Sequence, residues 1–151
     1  VVGGGVGGVE GVVELALAAG CKKAERLAVR VPSHCPLLQD VADVLAREVG
    51  TLEPSTVVAQ YVTNRRARGT RVLDKIREDF ATNIAHPVRW HDSTQLLVEM
   101  GTTMFVELNP GRVLSGLAHE AFPGVPVLTA SETRFETLVD QVSRHLAELD
   151  G

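Results

Sequence analysis

The stretch VPSHCPL (Val31 to Leu37) sets a serine, a histidine and a cysteine between two prolines, directly after one apolar pattern and directly before another. Upstream, ERLAVRV (Glu25 to Val31) alternates Leu27, Val29 and Val31 with Arg26, Ala28 and Arg30, the period of a half-buried strand. Downstream, Leu37, Leu38, Val41, Val44, Leu45 and Val49 recur at helical spacing as far as Gly50. With Pro36 in the first turn, that spacing predicts a helix from Pro36 to Val49. Strand, polar turn and helix make the repeating unit of an α/β chain, and ligands usually bind at such strand ends. Prolines fix φ on both sides, so His34 is held rigidly at this edge.

The alternation continues outward. In VVGGGVGG (Val1 to Gly8) a strand end runs into a glycine turn, after which Val9, Val12, Val13, Ala16 and Leu17 recur at helical spacing until Gly20. TVVAQYV (Thr56 to Val62), flanked by Pro54 and Asn64, is β-branched and reads as a strand. Leu73, Ile76, Phe80 and Ile84 share one face of a helix from about Thr70 to Ala85, which Pro87 forbids from continuing. A shorter helix after Asp92 stops at Gly101. Then come a strand in TTMFVEL (Thr102 to Leu108), a turn in NPG, a helix from Val113 to Phe122 and a strand in VPVLTA (Val125 to Ala130). Ser131 is expected to cap the last helix, whose Phe135, Leu138, Val139, Val142, Leu146 and Leu149 face inward. Strands alternating with helices predict α/β architecture with a largely parallel sheet.

Composition narrows the function. The 151 residues are 44% hydrophobic and 23% charged, a globular balance. A formal charge of -4 and a pI of about 5.7 argue against nucleic acid as the main partner. No stretch approaches the roughly 20 apolar residues of a membrane span, and no secretory signal is present, so no membrane partner and a cytoplasmic location are expected. Cys21 and Cys35 are expected to be reduced thiols in the core. The sequence begins at Val1 without an initiator Met, and we expect it to be a portion of a longer chain.

Three groups of residues invite chemistry. Gly3-x-Gly5-x-x-Gly8 has the glycine spacing of a dinucleotide-binding turn, which needs an acidic residue at the end of the second strand about 20 residues on. Glu25 has that distance but precedes its strand, so an NAD(P)-binding oxidoreductase built on Gly3, Gly5 and Gly8 is the lesser alternative. Cys35 beside His34 suggests a thiol nucleophile, although adjacent residues on a turn generally point apart. His34, Cys35, His86 and His91 match no metal-ligand spacing, so neither a metal nor a tightly bound cofactor is expected.

Four motifs in order carry a more specific signal: VPSHCPLLQDVADVL (Val31 to Leu45), a strand ending in Thr63-Asn64, NIAHPVRW (Asn83 to Trp90) and FVELNPGRVLSGL (Phe105 to Leu117). Together they resemble the C-terminal half of the malonyl-coenzyme A:acyl carrier protein transacylases, over essentially the whole chain. The resemblance implies an α/β fold in which residues 1–30 end a ferredoxin-like small subdomain and residues 31–151 form the C-terminal part of an α/β-hydrolase-like acyltransferase core. The glycine turn is then a connection that binds no nucleotide. The implied chemistry moves a malonyl group from malonyl-CoA to the phosphopantetheine-type thiol of an acyl carrier protein through an acyl-serine.

Carried over by motif, His34 is the general base and the backbone carbonyl of Asn83 orients its ring, while Pro32 and Ser33 shape the acyl pocket. No G-x-S-x-G occurs, and none of Ser33, Ser55, Ser93, Ser115, Ser131 or Ser143 has the glycines of a nucleophile elbow. The serine, the oxyanion hole and the malonyl-binding arginine are therefore expected in a missing N-terminal half of the same enzyme, and this portion alone is expected to be inactive. TNRRARGTR (Thr63 to Arg71) resembles the malonyltransferase (epsilon) subunit of bacterial malonate decarboxylases. That likeness implies contacts from Asn64, Arg65 and Arg66 to the carrier or to the nucleotide end of the donor, and other decarboxylase subunits as partners. A noncatalytic carrier-binding module is the second alternative.

Overall fold

Gly20 and Gly101 end helices where the sequence places them. In the computed structural model, which describes residues 1–53 and 56–149, α1 (Val6–Ala18) closes with the Gly20 amide on the Leu17 carbonyl (3.0 Å) and the Cys21 amide on the Ala16 carbonyl (2.9 Å). This pair of bonds is the Schellman arrangement, and it needs the left-handed φ of +87° that glycine accepts without strain. α4 (Trp90–Glu99) ends in the same way. There the Gly101 amide reaches the Val98 carbonyl (2.9 Å) and the Thr102 amide the Leu97 carbonyl (3.0 Å), with Gly101 at φ +92°.

The chain forms two compact units, Val1–Ser93 and Thr94–Gly151. In the first, Pro36 opens a 3-10 turn (Pro36–Leu38) that leads into α2 (Gln39–Thr51), and α2 packs on α3 (Leu73–Thr82). Among the described residues the buried apolar side chains here are Ala42 of α2, Ile76 and Ala81 of α3, and Ala85 of the 3-10 turn Asn83–Ala85. Three of these are alanines, so each adds little buried area and the layer contributes modestly to stability. β1 (Tyr61–Val62) pairs antiparallel with β2 (Gly69–Thr70), and the Tyr61 ring meets Phe80 edge-on at 5.4 Å.

In the second unit β3 (Phe105–Glu107) runs parallel to β4 (Val127–Thr129), with α5 (Val113–Ala121) as the crossover between them. This β-α-β unit is the α/β signature that the alternating pattern predicts. Phe105 lies 6.0 Å from Phe122, ring to ring. α6 (Phe135–Leu149) follows, and Ala118 and Leu138 are buried.

Several expectations need correction. Cys21 is exposed and Cys35 half-buried, and of the α6 residues expected inside, Phe135, Val139, Leu146 and Leu149 are exposed. Residues Glu25 to Val31 form no strand, and Leu27, Val29 and Val31 are all exposed. Alternation specifies which face a strand buries but supplies no ladder partner, and among the described residues none pairs with this segment. The Thr56 to Val62 strand shrinks to Tyr61–Val62 in an antiparallel hairpin, and among the described residues the expected parallel sheet is replaced by two small sheets of opposite sense. Pro54 and Ser55 lie outside the described residues. α3 starts at Leu73 because Thr70 is taken by β2. Ser131 caps nothing: α6 begins at Phe135, and the Ser131 hydroxyl turns back to the Gly111 carbonyl (2.6 Å) and Asn109 Oδ1 (2.8 Å). Among the described residues no helix is long and apolar enough to cross a membrane.

Candidate active site

The turn after Val31 tightens around Pro32, with the Ser33 amide donating to the Val31 carbonyl (2.8 Å). His34 follows at φ +62°, a left-handed conformation that costs a residue with a Cβ on the order of 1 kcal/mol. Two bonds to the 3-10 turn Asn83–Ala85 hold it there. The His34 amide donates to the Ile84 carbonyl (2.7 Å), and ring Nδ1 lies 2.9 Å from the Asn83 carbonyl oxygen. A carbonyl only accepts, so Nδ1 carries the proton in the neutral ring and Nε2 keeps its lone pair. The side chain is exposed, which leaves Nε2 accessible. The arrangement is a base with its tautomer set by a main-chain acceptor, the geometry that an Asp provides in hydrolase triads.

The surrounding residues divide by role. Pro32 and Ser33 stand beside His34 on the turn, while the thiol of Cys35 points to the Gly3 carbonyl (3.7 Å), a weak bond that does not involve the imidazole. Asn83 contributes its main chain. Its Oδ1 is buried and finds no partner among the described residues, so the side chain is not what the His34 contact requires. His86 Nδ1 bonds the Thr82 carbonyl one turn back (2.9 Å). Among the described residues no group of three or more His, Cys, Asp or Glu is placed to hold a metal ion.

Asn64, Arg65 and Arg66 lie on the connection between β1 and β2, in a separate cluster held by Asp79 of α3. Asp79 is 4% exposed, and its carboxylate accepts from the Tyr61 hydroxyl (2.6 Å), the Asn64 amide (2.8 Å) and the Arg65 amide (3.2 Å). Burial first, and then the bond to Asp79, push the Tyr61 phenol well above its usual value. Thr63 and Arg68 close the loop through the Thr63 amide on the Arg68 carbonyl (2.9 Å) and the Arg68 amide on Thr63 Oγ1 (3.1 Å). The Asn64 carbonyl accepts from the Arg89 amide (2.8 Å). Arg66 pairs with Glu78 at 2.9 Å, and Arg65 lies 3.7 Å from the same oxygen.

Sequence reasoning missed Asp79, Tyr61 and Glu78. The available signal was an aspartate within the apolar stripe of α3, four residues before Asn83, where a carboxylate is stable only if it is bonded. That spacing sets the two anchors about one turn apart: Asp79 of α3 holds the arginine loop, and the Asn83 and Ile84 carbonyls of the 3-10 turn that follows hold His34.

No family model matches the chain. It is 35% identical, over 76% of its length, to the malonyl CoA-acyl carrier protein transacylase of Escherichia coli K12, of which it covers 36%. Its fold is similar to the malonyl-CoA:acyl carrier protein transacylase from Xanthomonas oryzae, with a TM-score of 0.78 and 31% identity over 83% of this chain and 40% of that one. A malonyl-transacylase solved in complex with a type II polyketide acyl carrier protein matches with a TM-score of 0.74 and 32% identity, over 83% of this chain and 40% of that one. In sequence and in fold the chain is thus similar to these proteins. It is a relative of the malonyl-CoA:acyl carrier protein transacylases, spanning less than half the length of each of these proteins.

Proposed function

We propose that this chain supplies the histidine of an acyltransferase that moves a malonyl group from malonyl-CoA to the phosphopantetheine-type thiol of an acyl carrier protein, through an acyl-serine lying outside the chain. The carrying observation is the 2.9 Å contact of His34 Nδ1 with the Asn83 carbonyl, which leaves Nε2 as an exposed base. In the first half-reaction Nε2 takes the serine proton as the oxygen attacks the thioester carbonyl, then gives it to the departing coenzyme A thiolate. In the second, Nε2 takes the proton of the carrier thiol as its sulfur attacks the ester, then returns it to the serine oxygen. Pro32 and Ser33 border the acyl group, and Asn64, Arg65 and Arg66 meet the donor or the carrier. Residues 1–30 belong to the small subdomain and residues 31–151 to the large one, in a cytoplasmic enzyme.

Within the family, the likeness of TNRRARGTR to malonate decarboxylase malonyltransferase subunits supports that particular role. The test is the rate of malonyl transfer in the protein that carries this chain. His34→Ala should lower it about 10²- to 10⁴-fold, the usual contribution of a general base, with the fold intact by circular dichroism. A rate within a few-fold of wild type contradicts the proposal. Transfer to the isolated carrier subunit of a malonate decarboxylase, faster than to a fatty-acid carrier, supports the narrower role.

A further inference from the structure

Beneath the loop that joins β1 to β2 lies a cavity of about 120 Å³, lined by Arg65, Arg66, Arg68, Lys75, Glu78 and Asp79 together with small polar residues. Four cations and two carboxylates meet there, and the carboxylates are not equivalent. Asp79 is buried and spends both oxygens on Tyr61 and on the loop amides. Glu78 is exposed, and one of its oxygens is shared between Arg66 (2.9 Å) and Arg65 (3.7 Å). Among the described residues Arg68 and Lys75 have no carboxylate partner, so the cavity carries an excess of positive charge. The loop bearing these arginines is fixed in advance by the Asp79 bonds and by the Thr63–Arg68 closure, with Ala67 at φ +49°.

The geometry points to a phosphate-binding site in this cavity, in which Glu78 occupies the place of the anion and is displaced by it. The charge sets the ligand class. An incoming carboxylate only exchanges one single charge for another, whereas a phosphate group brings nearly two charges and three acceptor oxygens that suit the guanidinium fork. The exposed Arg66–Glu78 pair is the kind that contributes little to stability, so its loss opposes the exchange only weakly. Under the acyl-transfer reading, on which the biological source of the ligand rests, the ligand is the 3′-phosphate monoester of the coenzyme A donor, the one phosphate of that molecule with nearly two charges.

Calorimetric titration with inorganic pyrophosphate at low ionic strength tests the site without any acyl chemistry. Wild type should bind, Glu78→Gln should bind about 5-fold or more tighter, and Arg66→Ala with Arg68→Ala should bind at least about 10-fold more weakly. Tightening by Glu78→Gln is the discriminating sign, because a merely structural ion pair gives no gain when it is broken. Coenzyme A should compete with pyrophosphate. Unchanged or weakened binding in Glu78→Gln overturns the proposal, as does competition by an apo carrier protein but not by coenzyme A. His34→Ala should bind pyrophosphate like wild type while transfer is lost, so failure of the phosphate site and failure of the acyl-transfer reading are told apart.

Discussion

Asp79 in the first unit and Glu107 in the second perform the same local task with different weight. Each is a carboxylate that collects backbone amides which no helix or ladder satisfies. Glu107, at the end of β3, accepts from the Leu114 amide (3.2 Å), the Ser115 amide (2.7 Å) and the Ser115 hydroxyl, and so caps the first turn of α5 from a distance. Water can replace it there, since the group is only partly covered. Asp79 is 4% exposed, and the amides and phenol it holds have no such substitute. Burial therefore decides how much each carboxylate contributes, and the heavier one supports the loop of the candidate site.

Asp79→Ala is the substitution with the largest expected effect on stability. It leaves the Tyr61 hydroxyl and the Asn64 and Arg65 amides without their acceptor, and should cost on the order of 3 kcal/mol by urea denaturation. A loss below about 1 kcal/mol would make the two carboxylates equivalent and break the comparison. Tyr61→Phe removes one of the three bonds and should cost about 1 to 2 kcal/mol.

The two groups also differ in pH dependence. Tyr61 is the only tyrosine, so ultraviolet titration reports it alone. Its folded value is raised above the ordinary 10.0 by burial and then by Asp79, so its contribution is complete below pH 10.0 and is lost as pH rises through the folded value. Phenolate absorbance should therefore appear together with alkaline unfolding; titration in the folded protein near pH 10.0 would contradict the buried pair.

For Glu107 the sign is opposite and the effect is the smallest. The Ser115 hydroxyl first, and then the Ser115 and Leu114 amides, hold its carboxyl below the ordinary 4.5. The unfolded chain thus binds the proton more readily, so the stability that Glu107 adds is complete above pH 4.5 and fades as pH falls through the lower folded value. Glu107→Gln should be less stable than wild type at pH 7 and equal to it in acid. A gap that persists at acid pH would assign the effect to shape, not to charge.

What was legible in the sequence follows the range of the interactions. Gly20 and Gly101 mark helix ends within two residues because a Schellman end is a local event. The crossover from β3 through α5 to β4 was legible because three neighbouring segments supply their own partners. Leu27, Val29 and Val31 show the opposite case, a clean alternation with no ladder to join. The proline-flanked turn announced a rigidly held His34, but not its left-handed φ, which depends on carbonyls 49 and 50 residues away in the chain. Asp79 escaped notice for the same reason, since its role becomes visible only when the β1–β2 loop folds over α3.

Nitrogen-15 NMR of the His34 imidazole, at a pH where the ring is neutral, decides which ring nitrogen carries the proton. The proton should sit on Nδ1, held by the Asn83 carbonyl, with Nε2 bare. A ring protonated on Nε2 would leave no base facing outward and would contradict the assignment of His34 as the base.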